Sequence, residues 1–128
     1  VNVNNYIGLP YSLRDISGCV NCWGLVALIY NNELDKSIPI FKSKKLAGIS
    51  AAFSAAFATG EHGFCNVDSG IDFDVVVFVS DGGRAREFHC GIMYNGKVLH
   101  ATNKMGQVVY QTLQQASEGY NRVEFWRR

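Results

Sequence analysis

Cysteine and histidine are the side chains best suited to nucleophilic attack and proton transfer near neutral pH. This 128-residue chain concentrates them in two places. Cys19 and Cys22 stand three apart in SGCVNCWGLVALIY, residues 17–30, and an apolar run follows the second cysteine directly. His89 and His100 flank Asn95-Gly96 in REFHCGIMYNGKVLHAT, residues 86–102. Three chemistries fit such a set: a zinc site, a dithiol redox pair, or a cysteine nucleophile served by a histidine base.

Each chemistry needs elements that bring the groups together. Cys22, Leu25, Val26 and Ile29 follow the i, i+3, i+4, i+7 spacing of an amphipathic helix. Asn21 or Ser17 would serve as its N-cap, and Asn31-Asn32 marks its end. Cys22 then lies in the first helical turn, where the macrodipole and unpaired N–H groups favour a thiolate. Its own N–H can begin an oxyanion hole, and Gly24 keeps the helix start open to substrate. Asn95-Gly96 predicts a type I′ hairpin turn that sets Gly91 opposite His100 and His89 opposite Thr102. The two histidines then share one face as diagonal neighbours, about 7 Å apart at the backbone, close enough for one hydrogen bond across Gly91. Phe88, Cys90, Ile92, Leu99 and Ala101 point the other way and read as core.

This geometry weighs the three chemistries. Cys19 and Cys22 have the C-x-x-C spacing of one half of a structural zinc site, but no second C-x-x-C or H-x-x-x-H exists. His89 and Cys90, adjacent on a strand, face opposite ways and cannot both ligate one ion from it. A site from Cys19, Cys22 and His89 is the minor reading that remains. A redox motif needs a strand before the cysteines, and GLPYSLRDISG is turn-rich instead; a reversible Cys19–Cys22 disulfide could still act as a brake. The favoured reading makes Cys22 the nucleophile, His89 its general base and His100 the group that orients His89.

The rest of the chain supplies a scaffold. AGISAAFSAAFATG predicts a second, Ala-rich helix with Ile49, Ala52, Phe53 and Ala56 on one side and Gly60 as its stop. DFDVVVFV reads as a strand covered on both faces, and QVVYQ and RVEFW as two more beyond the hairpin. TGEHGFCNVDSG is the longest turn-rich connection. The expected fold class is α+β: N-terminal helices packed on a mostly antiparallel sheet of about five strands, in one domain spanning 1–128. With 48% hydrophobic and 18% charged residues, the chain has enough apolar surface to fold. A net charge of +1 and only short basic clusters (Lys42/Lys44/Lys45, Arg127/Arg128) argue against nucleic acid or an anionic membrane as partner. No apolar run approaches the ~20 residues of a membrane span, and VNVNNYIGLP has no signal-peptide pattern. Four cysteines are too few for a disulfide scaffold of this length, so reduced thiols are expected.

GLPYSLRDISGCVNCWGLV, FDVVVF and FHCGIMYNGKVLHAT, taken together, resemble the NlpC-type cell-wall cysteine peptidases, a compact papain-like family, from about Tyr6 to Thr102. That family's pattern runs G-x-P-Y, then [D]-C-x-G-L-V, a strand with a phrase like GDLVFF, and H-[VC]-G-I-Y before G and [IL]-H-A. The CWGLV form, the Ala-rich helix and the closing NRVEFWRR most resemble the branch carried on phage tail proteins. The resemblance implies Cys22 as nucleophile, His89 as base and His100 as the third polar residue. Tyr11 matches a tyrosine near the oxyanion, and Asn21 and Trp23, flanking the nucleophile, join it as substrate-binding or oxyanion residues. It further implies cleavage of peptidoglycan stem peptides between D-glutamate and a diamino acid, with no metal or organic cofactor. The setting implied is a phage or prophage tail, or the cytoplasm of the producing bacterium, with action on the wall and other tail proteins as partners. Two departures stand out: Asn21 replaces the family's usual Asp, keeping shape but losing charge, and Cys19 lies outside the motif. Two further readings use the same fold, a catalytically silent tail component or peptide-binding module, and a peptidase that processes a tail protein.

Overall fold

The computed structural model describes residues 2–14, 16–41, 43–81 and 87–128. Lys42 of the basic cluster and Arg86, at the start of the predicted REFHCGIMY strand, lie outside them. After a 3-10 turn at Val3–Asn5 come helices α1 (Cys22–Leu34) and α2 (Leu46–Thr59). Strands β1 (Cys65–Val67), β2 (Val75–Ser80), β3 (Glu87–Tyr94), β4 (Lys97–Thr102) and β5 (Gln107–Thr112) follow. A short helix α3 (Leu113–Ala116) and strand β6 (Arg122–Arg127) complete the order. The strands form one sheet in the order β1-β6-β2-β3-β4-β5, antiparallel at every ladder. Among the described residues, no helix is long and apolar enough to cross a membrane.

Local chemistry sets where each element starts and stops. Asn21 takes an extended backbone, and its side-chain oxygen accepts the Gly24 N–H at 2.7 Å, the N-cap bond expected of Asn. A Cβ on Gly24 would come 3.2 Å from that oxygen. Gly24 thus lets the cap close, a different service from opening the helix start to substrate. Helix α1 runs through Asn31-Asn32 to Leu34 and ends on Asp35 in the left-handed region (φ 51°). The penalty of under ~1 kcal/mol for each Asn is outweighed there by tertiary ties. Tyr30 is buried, and the Tyr6 hydroxyl donates to Glu33 at 2.6 Å. Helix α2 stops at Gly60 (φ 67°) as expected. Its Ser50 hydroxyl donates to the Phe88 carbonyl at 2.7 Å, fixing α2 to β3.

Strand β2 begins one residue after Asp74, because that buried carboxylate accepts from the Ile71 N–H and takes a two-pronged ion pair from Arg127, at 2.8 and 2.9 Å. From there both faces are covered, as the continuous apolar run predicts. Val75, Val77 and Val79 join Cys90, Ile92, Leu99, Ala101 and the helices in the main core. Val76 and Phe78 pack on the other side with Met93, Val98 and Ala116. Among the described residues the sheet has six strands, where about five were expected. The extra one, β1, lies in the segment read as a loop, where three residues pair with Phe125–Arg127 of β6. A strand this short has no alternation to detect. Helix α3 is not among the expected elements, although Thr112 and Gln115 form the reciprocal capping box that T-x-x-Q encodes.

Candidate active site

The hairpin register predicted from Asn95-Gly96 holds for Tyr94–Lys97, Met93–Val98 and Ile92–Leu99, and there the ladder stops. Strand β3 goes on pairing with β2 as far as Glu87–Ser80, and β4 with β5 as far as Thr102–Gln107. The sheet therefore forks between β3 and β4, and the expected pairs Gly91–His100 and His89–Thr102 are not part of it. Gly91 stands at the fork. A Cβ there would lie 2.7 Å from the Leu99 carbonyl oxygen and 2.9 Å from the His100 Cβ, so only glycine lets the strands approach before they part.

Across the fork, His89 Nε2 and His100 Nδ1 lie 2.9 Å apart. The shared face and the single hydrogen bond match the sequence reading. His89 packs against the rings of Phe78 and Tyr120, with centroids 5.8 and 6.1 Å away. The other nitrogen of His100, Nε2, lies 2.8 Å from the Gln111 side-chain oxygen. Gln111 was missed from sequence. It pairs with Val98 while His100 pairs with Val109, the same diagonal relation that joins the histidines. Finding it required the β4–β5 register, which the turn at 103–106 does not announce. Burial lowers the His100 pKa to about 4, with the nearby His89 adding to the effect, so His100 is neutral at pH 7.

Cys22 occupies the first position of α1 and has no exposed surface, yet it lines the same cavity of about 530 Å³ as Tyr11, His89, His100, Gln111 and Tyr120. A hydrogen bond from the Cys90 thiol holds the Cys22 pKa well below the ordinary cysteine range. Burial opposes this, and the hydrogen bond and charge of His89 reinforce it. Cys90 moves the opposite way, raised by burial and by the adjacent Cys22, so it stays an S–H donor. Its core position agrees with the sequence reading. Its contact with Cys22 does not follow from strand parity, which puts Cys90 and His89 on opposite faces. Parity holds along β3, but where the sheet forks one thiol meets side chains from both faces.

Tyr11 is carried to this cavity by an N-terminal segment stitched to two places at once. Its N–H donates to Gly106 O, and the Val20 N–H donates to Pro10 O, each at 3.0 Å. Burial, then the negative charge of Cys22, pushes the Tyr11 phenol up to about 12. It therefore remains an O–H donor beside the thiolate.

The structure brings together Tyr11, Cys22, His89 and His100. It does not bring the Asn21 and Trp23 side chains into their cavity. Asn21 is committed to capping α1. Trp23 is 1% exposed, donates its indole N–H to the Pro39 carbonyl at 2.6 Å and stacks on Phe41 and Phe53. Cys19 is half-buried and lines a separate cavity of about 940 Å³ beside Arg14, Ile38 and Phe41. All four cysteines are free thiols. Among the described residues, no group of three His, Cys, Asp or Glu side chains could hold a metal ion.

No protein-family model matches this chain, and no curated protein matches it in sequence. Among solved structures, it is similar to the crystal structure of the NlpC/p60 domain of peptidoglycan hydrolase SagA, with a TM-score of 0.60 at 18% sequence identity. The match covers 96% of this chain and 91% of that one. The likeness spans helices and sheet alike, and the chain therefore has the α+β, papain-like fold of an NlpC/p60 domain.

Proposed function

We propose that residues 1–128 form one domain, a cysteine peptidase that hydrolyses amide bonds in peptidoglycan stem peptides. The observation that carries the reading is the row Cys22, His89, His100. A thiol with a depressed pKa at a helix start stands beside an imidazole that is hydrogen-bonded at 2.9 Å to a second one. The fold is that of a domain from a peptidoglycan hydrolase, which supports the choice of substrate.

In this mechanism the Cys22 thiolate attacks the amide carbonyl carbon, and the carbonyl π electrons move onto oxygen. First-turn N–H groups of α1 and the Tyr11 hydroxyl are the donors available to that oxyanion. The C–N bond then breaks. Protonated His89 gives its proton to the departing amine, and a thioester remains on Cys22. Water, deprotonated by His89, adds to the thioester. Collapse releases the carboxylic acid and returns Cys22 to its thiolate with His89 protonated. Cys90 supports the resting thiolate throughout.

The D-glutamyl–diamino acid bond is the proposed target, and a phage or prophage tail the proposed setting, with other tail proteins as partners. Both rest on the sequence resemblance in CWGLV, the Ala-rich α2 and NRVEFWRR. The protein is proposed to be made in the cytoplasm of the producing bacterium and to act on the wall. Incubation with purified sacculi should release soluble muropeptides. Cleavage of purified tail proteins with intact sacculi would instead favour a processing peptidase. Absence of both, with Cys22 no more reactive towards iodoacetamide than Cys19, would favour a silent module.

A further inference from the structure

Two imidazoles joined nitrogen to nitrogen share one hydrogen, and a row of such groups has two proton registers. In the first, the Gln111 oxygen accepts from His100 Nε2–H. His100 Nδ1 is then a lone pair and accepts from His89 Nε2–H, so His89 Nδ1 is left as the basic nitrogen. In the second, the Gln111 amide N–H donates to His100 Nε2. His100 Nδ1–H then donates to His89 Nε2, and the one proton neutral His89 can carry sits on Nδ1. His89 Nε2 is engaged by His100 in both registers, so Nδ1 is the nitrogen left for Cys22. Only the first register gives the thiol a base.

While both rings are neutral, before Cys22 has given up its proton, nothing within them selects between these registers, so the choice falls to the group at the far end of the row. That group is Gln111, whose oxygen lies 2.8 Å from His100 Nε2. Gln111 is half-buried and also lines the cavity, so its amide N–H₂ can face water there while its oxygen faces the ring. His100 itself is 5% exposed, which leaves it little access to water as an alternative partner.

We propose that Gln111 is a positioning residue of this site: by accepting from His100 Nε2–H it sets the proton register of both histidines and leaves His89 Nδ1 free to take a proton from Cys22. The proposal rests on the assignment of Cys22 and His89 as nucleophile and base. Its prediction about where the protons sit is independent of any substrate.

The test compares an acceptor-only with a donor-only side chain of similar size, Gln111→Glu with Gln111→Lys. Long-range proton–nitrogen correlation spectra of histidine-labelled protein at neutral pH report which ring nitrogen carries hydrogen. Wild type and Gln111→Glu should both show His100 protonated on Nε2 and His89 carrying a proton on its own Nε2. In Gln111→Lys the His100 proton should move to Nδ1, and alkylation of Cys22 by iodoacetamide should slow by about 100-fold, the low end of the usual worth of a general base. Wild-type His100 protonated on Nδ1, or Glu and Lys variants alike in both readouts, would overturn the proposal. If Gln111→Lys does not fold, the wild-type spectrum decides alone. Sacculus digestion by wild-type protein tests the peptidase reading separately, so either idea can fail while the other stands.

Discussion

His100 should make the fold acid-sensitive in a defined window. Its pKa in the folded protein is about 4, against an ordinary value of 6.5, because burial and the neighbouring His89 disfavour its charged form. The unfolded chain therefore binds more protons between those two values, and stability falls as pH drops from 6.5 towards 4. Stabilisation from this group is fully present above pH 6.5, and below about 4 no further loss comes from it. A gap of about 2.5 pH units, at about 1.4 kcal/mol each, amounts to about 3–4 kcal/mol in full, of which about 3 is lost by pH 4. That is a large share of the 5–15 kcal/mol typical of a domain. The assay is urea unfolding of wild type and His100→Gln at several pH values from 7.5 to 4. His100→Gln removes the titrating group but keeps a hydrogen-bonding side chain. The stability difference between the two proteins should change by about 3 kcal/mol in favour of the variant as pH falls through the window. Parallel curves would refute the assigned burial and contacts of His100.

Three further outcomes follow from particular contacts. Cys90→Ala removes the hydrogen bond that holds Cys22 down, so the pH profile of Cys22 alkylation should shift upward by about 1–2 units, the worth of one hydrogen bond to a charged group; Cys90→Ser should recover part of the shift. Gly91→Ala forces a Cβ against the Leu99 carbonyl, which is backbone and cannot turn aside. It should cost about 1–3 kcal/mol in urea unfolding and weaken the His89–His100 contact. Asn21→Ala should lose about 1 kcal/mol through the missing N-cap, whereas Asn21→Asp, which keeps an acceptor for the Gly24 N–H, should retain stability in thermal melts.

What could be read in the sequence was whatever local spacing encodes. The apolar stripe from Cys22 to Ile29 and the turn at Asn95-Gly96 are short-range signals, and they placed the thiol at a helix start and two histidines on one face. What stayed hidden depends on strands distant in sequence. The fork between β3 and β4 arises because each strand keeps its outer partner, β2 or β5, and no local pattern records that choice. The Cys90–Cys22 contact is a consequence of that fork, and the place of Gln111 beside His100 depends on the β4–β5 register. The flanks of the nucleophile have other partners in the structure. Proximity in sequence suggested Asn21 and Trp23 as substrate contacts, but a helix turns successive side chains about 100° apart. One caps the helix and the other enters an aromatic cluster with Phe41 and Phe53.

The account turns on one thiol. Mass spectrometry of muropeptides from purified sacculi, digested by wild-type protein and by Cys22→Ala shown to be folded by circular dichroism, addresses it most directly. Wild type should generate fragments that have gained one water across a stem-peptide amide, and Cys22→Ala should generate none. The same fragments from Cys22→Ala, at a comparable rate, would contradict the assignment of Cys22 as nucleophile.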